Sequence, residues 1–218
     1  GFGESCDLKI SNIEYLPTGS CFVIEGEAYE VPMVGEFNVR NAAMAVCSAR
    51  FAGLEPEEIR KGLLSFEGIA RRQQERGEVG GITVVDDFAH HPTAIGLAID
   101  GLRQKYPSRR LWVIFEPRSN TTRRNIFQDD LAIALKKADC VVIPSIPDPE
   151  KVAENERLDP QKLVADISSA GANSWHLGEV EEIVEHVSSL AQSGDVIAIL
   201  SNGGFGGIHE KLLASLDD

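Results

Sequence analysis

Four short segments gather the residue types that could do chemistry. DDFAHHPT, residues 86–93, places Asp86, Asp87, His90 and His91 around Phe88. EPRSNTTRR, residues 116–124, carries Arg118, Ser119, Asn120, Arg123 and Arg124, and planar guanidinium forks suit carboxylates or phosphates. SNGGFGGIHE, residues 201–210, starts with Ser201, Asn202, Gly203 and Gly204; backbone N–H groups at such glycines can approach an anion at a helix N-terminus. ARRQQER, residues 70–76, brings Arg71, Arg72 and Arg76 together. Each segment has a plainer alternative: a helix cap, a solvated basic patch, a tight strand-to-helix turn, an interdomain salt bridge.

Adjacent residues on an extended strand point to opposite faces, so only one of each Asp or His pair would face a given site. A metal needs three or more converging ligands, so hydrogen bonding to a substrate or nucleotide is preferred and no metal site is assigned. If a helix begins near Thr122, Arg123 and Arg124 occupy its first turn, the unfavourable end of the dipole for a cation, and an anionic ligand would offset that. SNGGFGG is not the dinucleotide fingerprint, because the G-x-G-x-x-G spacing is absent and it follows the last strand.

The elements that must position these residues change character along the chain. Residues 1–34 read as short β segments with turns at Gly19-Ser20 and Glu25-Gly26. NVRNAAMAVCSARFAG predicts a buried helix stopped by Gly53, and PEEIRKGLLSF a helix with Pro56 in its first turn. From residue 78, apolar runs (ITVVDDFA, LWVIFEP, CVVIPS, NSWHL, DVIAILSN) alternate with amphipathic helices. That alternation predicts an α/β fold with a Rossmann-like, mostly parallel sheet flanked by helices. The predicted domains are 1–76 and 77–218, with Gly77, Gly80 and Gly81 as a flexible joint. Ligands of such sheets bind beyond the carboxyl ends of the strands, where these segments fall.

The 218 residues carry a formal net charge of −13, which argues against nucleic-acid and anionic-membrane partners. No apolar run approaches the roughly 20 residues of a membrane span, and no signal peptide is visible. Four scattered cysteines without CxxC spacing fit a reducing compartment, so a cytoplasmic location is expected.

Taken in order, these motifs resemble the C-terminal half of Mur ligases. DDFAHHPTAI is similar to that family's DDYxHHPTE segment, in the branch acting on UDP-N-acetylmuramate, and GEFNVRNAAMAV to its GxHNxxNxxAA helix in the central domain. DDFAHHPTAI, FEPRSNT and LSNGGFGGIHEKLL together are similar to the family's recycling members. Those join UDP-N-acetylmuramate to the murein tripeptide L-alanyl-γ-D-glutamyl-meso-diaminopimelate. The resemblance implies that residues 1–76 are the β/helical end of the central ATP-binding domain. It also implies that ATP and Mg²⁺ drive amide formation through an acyl phosphate. The chain has no P-loop, and it lacks the family's magnesium-holding acid and histidine and its modified lysine. It is therefore expected to be a fragment whose missing N-terminal and central domains are its partners, and to be inactive alone.

By position, the resemblance gives Arg72 to the γ-phosphate, with Arg71 as the near alternative. Asn41 falls to adenine, Asn38 to the start of its helix, Asp86 or Asp87 to the ribose, and Phe88 to the nucleoside face. His90 and His91 lie where the family places the incoming amine. Arg118, Arg123 and Arg124, with Ser119 and Asn120 beside them, would hold tripeptide carboxylates. Ser201, Asn202, Gly203 and Gly204 would floor the peptide site. Two departures stand out: Phe37 replaces the family's histidine, and Gln73 and Gln74 stand where an apolar residue and an acid are usual. The competing readings are an L-alanine ligase of the same branch and a noncatalytic Rossmann-like binding module.

Overall fold

The structure, a computed structural model, describes residues 1–217. The chain divides into two compact units, residues 1–69 with 100–107, and residues 70–99 with 108 onward.

In the first unit, β1 (Ile10–Leu16), β2 (Gly19–Ile24) and β3 (Glu27–Val31) form an antiparallel sheet in that order. Helix α1 (Glu36–Phe51) buries Val39, Ala42, Ala43 and Val46, spaced i, i+3, i+4, i+7 on one face, against Phe22, Ile24 and Tyr29. Gly53 ends it at φ 88, which a glycine adopts without steric cost. Helix α2 (Pro56–Leu64) starts with a reciprocal capping box between Glu55 and Glu58 and with Pro56 in its first turn.

The second unit is built on a six-stranded sheet ordered β4 (Gln74–Val79), β5 (Ile82–Asp87), β9 (Val196–Leu200), β6 (Leu111–Phe115), β7 (Cys140–Pro144), β8 (Asn173–Leu177). All neighbours are parallel except β4, which pairs antiparallel with β5. The connecting helices are α3 (Pro92–Lys105, of which residues 100–105 fall in the first unit), α4 (Gln128–Leu135), α5 (Pro160–Ser169), α6 (Val180–Leu190) and α7 (Ile208–Asp217). The expected Rossmann-like sheet is present. Strands β5, β6, β7 and β9 are buried throughout, which is why they read as unbroken apolar runs.

Right-handed crossovers place the outward-running and returning connections on opposite faces. On one face α6 and α7 pack Ile183, Val187, Ile208 and Leu212 against Val84, Trp112, Ile114 and Ile199. The chain runs out through β6, β7 and β8 and returns to insert β9 between β5 and β6. The last strand of the sequence therefore lies at the centre of the sheet, and the carboxyl ends of β5, β9 and β6 stand side by side.

Two expectations are corrected. The boundary at 76/77 lies seven residues too late, because β4 is a strand of the second sheet rather than part of a joint. Gly80 and Gly81, at φ 58 and 79, make the two-residue hairpin turn between β4 and β5, and Gly77 packs beside Leu213. The helix expected near Thr122 begins at Gln128, after a short 3₁₀ turn at Asn125–Phe127. Arg123 and Arg124 precede any helix, so the dipole argument for an anion beside them does not hold.

Candidate functional site at the carboxyl edge of the second sheet

The edge is cross-braced by main chain. Ser201 N donates to Asp87 O (3.0 Å) and Glu116 N to Leu200 O (3.0 Å), so the loops after β5, β9 and β6 start in register. Side chains extend the bracing. Ser201 Oγ donates to Glu116 Oε2, and Glu116 is only 6% exposed. Arg118 Nη1 lies 3.7 Å from Glu116 Oε1, while its side chain stays 47% exposed. A Cβ on Gly203 would meet Arg118 Cδ at 2.6 Å and Nε at 2.7 Å, so the missing side chain at 203 makes room for the Arg118 stem. Gly204 is exposed, with open space beside it.

The two aspartates face different partners, as alternation along β5 requires. Asp86 and Asp87 are each 2% exposed. Asp86 lies against Arg71 Nε (3.3 Å), Arg76 Nη1 (3.8 Å) and His209 Nε2 (3.4 Å). Asp87 accepts from Gln73 N (2.9 Å) and Ala89 N (2.7 Å). Burial pushes the Asp87 carboxyl above its usual range, although both backbone donors pull it down. Both carboxylates are buried and held by groups of the chain itself.

Arg71 and Arg72 are separated by the structure. Arg71 sits at φ 59, a left-handed conformation costing a non-glycine residue about 1–2 kcal/mol. Its Nη2 donates to Ser201 O (2.6 Å) and Gly203 O (2.8 Å), and its Nε to Asp86. Hydrogen bonds from a charged donor contribute roughly 1.5–3 kcal/mol each, so they outweigh the strain. The Arg71 guanidinium is thus spent internally. Arg72 is exposed, has no ion-pair partner among the described residues, and lies 5.6 Å from the Phe88 ring centroid.

His90 Nδ1 is 3.0 Å from Phe88 O, with its ring edge-on to Phe88 at 5.5 Å. His91 Nδ1 accepts from Thr93 N (3.3 Å) at the start of α3 and packs edge-on to Phe127. His91 therefore serves as a helix cap. Ser119 also closes a local turn: its Oγ accepts from Thr122 N (3.1 Å) and bonds Thr122 Oγ1. Asn120 is exposed. Asn202 Oδ1 is buried without a hydrogen-bond partner. Arg123 pairs with Asp148 at 3.4 Å and Arg124 with Glu156, both acids from the segment between β7 and α5. Both guanidiniums are thus paired with carboxylates of the chain itself, while Arg123 Nε is buried without a hydrogen-bond partner.

Gln73 and Gln74 prove to be structural members of this edge. Gln73 N holds Asp87, its Nε2 donates to Ala98 O (3.3 Å), and Gln74 Oε1 accepts from Arg71 N (2.9 Å). Glu116 and His209 were not singled out by sequence. Glu116 had a usable signal, an acid ending an apolar strand; His209 had none beyond its place behind the glycine-rich loop. In the first unit, Asn38 Nδ2 donates to Val34 O (2.8 Å) at the head of α1. The exposed Asn41 lines an apolar groove of about 440 Å³ between α1 and α2, with Val31, Ile59, Leu63 and Phe66. Phe37 lies against Gly35, whose added Cβ would meet the ring at 3.1 Å.

This edge combines one unpaired arginine beside an aromatic ring, a second arginine over a glycine-rich loop, and a braced floor between them. Residues 71–203 match the family of the Mur ligase glutamate ligase domain. The chain belongs to the Mur ligase family. Among its curated relatives, the UDP-N-acetylmuramate–L-alanyl-γ-D-glutamyl-meso-2,6-diaminoheptandioate ligase of Escherichia coli (strain K12) is 41% identical over 189 residues, 84% of this chain and 38% of that protein. A UDP-N-acetylmuramate–L-alanine ligase of Bifidobacterium longum subsp. infantis is 37% identical over 202 residues, 89% of this chain and 39% of that protein. The crystal structure of a murein peptide ligase from Psychrobacter arcticus 273-4 superposes with a TM-score of 0.65 at 34% identity, covering 98% of this chain and 45% of that one. The chain thus spans less than half the length of these relatives. No helix among the described residues is long and apolar enough to cross a membrane.

Proposed function

We propose that this chain is the C-terminal part of an ATP-dependent Mur ligase that joins UDP-N-acetylmuramate to the tripeptide L-alanyl-γ-D-glutamyl-meso-diaminopimelate, in peptidoglycan recycling in the cytoplasm. The observation that carries it is the pairing of an unpartnered Arg72 beside Phe88 with Arg118 over the open Gly203–Gly204 loop. The first can meet a phosphoryl group, the second a peptide carboxylate.

In this reading the muramoyl carboxylate takes the γ-phosphoryl group of ATP to become an acyl phosphate, and ADP leaves as the β,γ-bridging P–O bond breaks. The peptide amine attacks it, the tetrahedral adduct expels phosphate, and an amide remains. Arg72 stabilises charge on the transferring phosphoryl group, an effect worth roughly 10³-fold or more in rate for a positioned arginine. Phe88 offers the nucleoside a flat face, bordered by His90 edge-on to that ring. Asp86 and Asp87 shape the edge from inside. Arg118 binds a carboxylate of the peptide, and Ser201, Asn202 and the glycines after them support its backbone. The buried Asn202 Oδ1 without a partner is an acceptor such a backbone N–H would satisfy. In the first unit, Asn41 and its apolar groove suit the edge and faces of a purine. The described residues contain no cluster of three or more acids, histidines or cysteines that could hold a metal. Magnesium would draw its protein ligands from parts of the full-length ligase outside these 218 residues.

The L-alanine ligase remains the second reading, since relatives with that activity share 37% identity. The open space at Gly204 favours the longer amine, because a small loop admits a peptide that a bulky one excludes.

The deciding experiment follows ADP release from the full-length protein with ATP, magnesium and UDP-N-acetylmuramate. Release dependent on the tripeptide, and lost in Arg72→Ala, supports the reading. Release with L-alanine alone moves the protein to the other branch. Turnover by residues 1–218 on their own would overturn the expectation that the fragment is inactive.

A further inference from the structure

We propose that Arg71 is a positioning residue that locks the Ser201–Gly203 loop to the segment carrying Arg72 and Phe88. One guanidinium reaches three anchors: Ser201 O, Gly203 O and the Asp86 carboxylate. The Arg71 main chain adds two more, its O accepting from Phe88 N (2.9 Å) and its N donating to Gln74 Oε1. The Arg71 guanidinium also lies 5.2 Å from the centroid of the Phe88 ring that Arg72 approaches from the next position in sequence. On the far side of the loop, Gly203 carries the Arg118 stem and Ser201 holds Glu116.

The phosphate-facing and peptide-facing arginines are thereby tied through a single side chain. Asp86 is itself fixed, 2% exposed and faced by Arg76 and His209, so it gives Arg71 a rigid footing. An arginine is required because its planar fork offers directed donors to three acceptors at once; a lysine presents one compact ammonium. Reaction between two bound substrates is steep in alignment, so a loop free to drift would loosen the hold on the peptide and separate its amine from the phosphoryl centre, leaving the muramate site intact.

What the alignment serves rests on the ligase reading above; the brace itself does not. Arg71→Lys keeps the charge and loses the reach. Arg71→Gly removes the side chain at a φ that glycine accepts freely, so a loss there is not backbone strain. In the full-length ligase, hydrogen exchange of the 202–207 amides should quicken in both variants while β6 and β9 amides keep their protection. The KM for the tripeptide should rise and kcat fall by about 10- to 100-fold, with the KM for UDP-N-acetylmuramate unchanged. Added guanidinium ion should restore part of the activity of Arg71→Gly. Unchanged loop exchange overturns the proposal. So does loop loosening without a change in the tripeptide KM, or activity loss that merely follows the melting temperature. If the wild-type protein shows no tripeptide-dependent turnover, the ligase reading fails, and the exchange data alone then decide for or against the brace.

Discussion

His209 Nε2 lies 3.4 Å from Asp86 Oδ1 with both side chains almost fully buried, yet that nitrogen makes no hydrogen bond. Burial pushes the imidazole below its usual pKa of about 6.5, against the upward pull of Asp86. In the unfolded chain His209 takes a proton near that ordinary value; in the folded protein it resists until lower pH. The unfolded state therefore binds more protons in this window, and stability falls as pH drops from about 6.5 toward the folded pKa. His209→Gln, which stays neutral, should flatten that decline. Urea midpoints at about pH 7.5 and 5.5 would show it, and an equally steep decline in the variant would place the acid sensitivity elsewhere.

Arg123 and Arg124 should behave as fastenings of the segment between β7 and α5, not as receptors for the substrate. Arg123 is held by Asp148 and Arg124 by Glu156, and Leu158 N donates to Arg123 O at 2.8 Å. The Asp148 carboxyl is drawn below its usual range by Lys151 first and by Arg123 after it. The Arg123 side chain is only 13% exposed, so Arg123→Ala should lower stability by about 1–2 kcal/mol. The more exposed Arg124 pair should contribute at most about 1 kcal/mol. Neither change should move the tripeptide KM much, whereas Arg118→Ala should raise it with little effect on stability. The opposite pattern, found by denaturation and steady-state kinetics, would return the carboxylate role to Arg123 and Arg124.

The sheet was readable because β5, β6, β7 and β9 are buried on both faces and so are apolar without interruption. Strand β4 was not, because QERGEV is an edge strand with a single apolar residue, and only its hairpin with β5 makes it a strand. That omission displaced the domain boundary. The position of the four segments at or beside the carboxyl edge of the sheet was legible from the alternation of strands and helices. Their division of labour was not legible. Arg71 and Arg72 are adjacent and chemically identical, and they differ only because carbonyls 130 and 132 residues away capture the first. Arg123 and Arg124 likewise looked free until acids 25 and 32 residues later were folded against them.

Gly203 offers the sharpest separation of function from stability. Its backbone is not in the left-handed region, so alanine is conformationally acceptable there. The atoms an added Cβ would strike all belong to Arg118, a half-exposed and flexible side chain. Gly203→Ala should therefore be absorbed by moving Arg118, changing stability by no more than about 0.5 kcal/mol. If Arg118 holds a peptide carboxylate, displacing it forfeits a charge-assisted contact of roughly 1.5–3 kcal/mol, a rise of about 10- to 100-fold in the tripeptide KM. The same substitution in an Arg118→Ala background should then add nothing, because the group it displaces is already gone. Independent, additive losses in that double-mutant cycle would mean that Gly203 acts on the peptide directly and that Arg118 merely passes by.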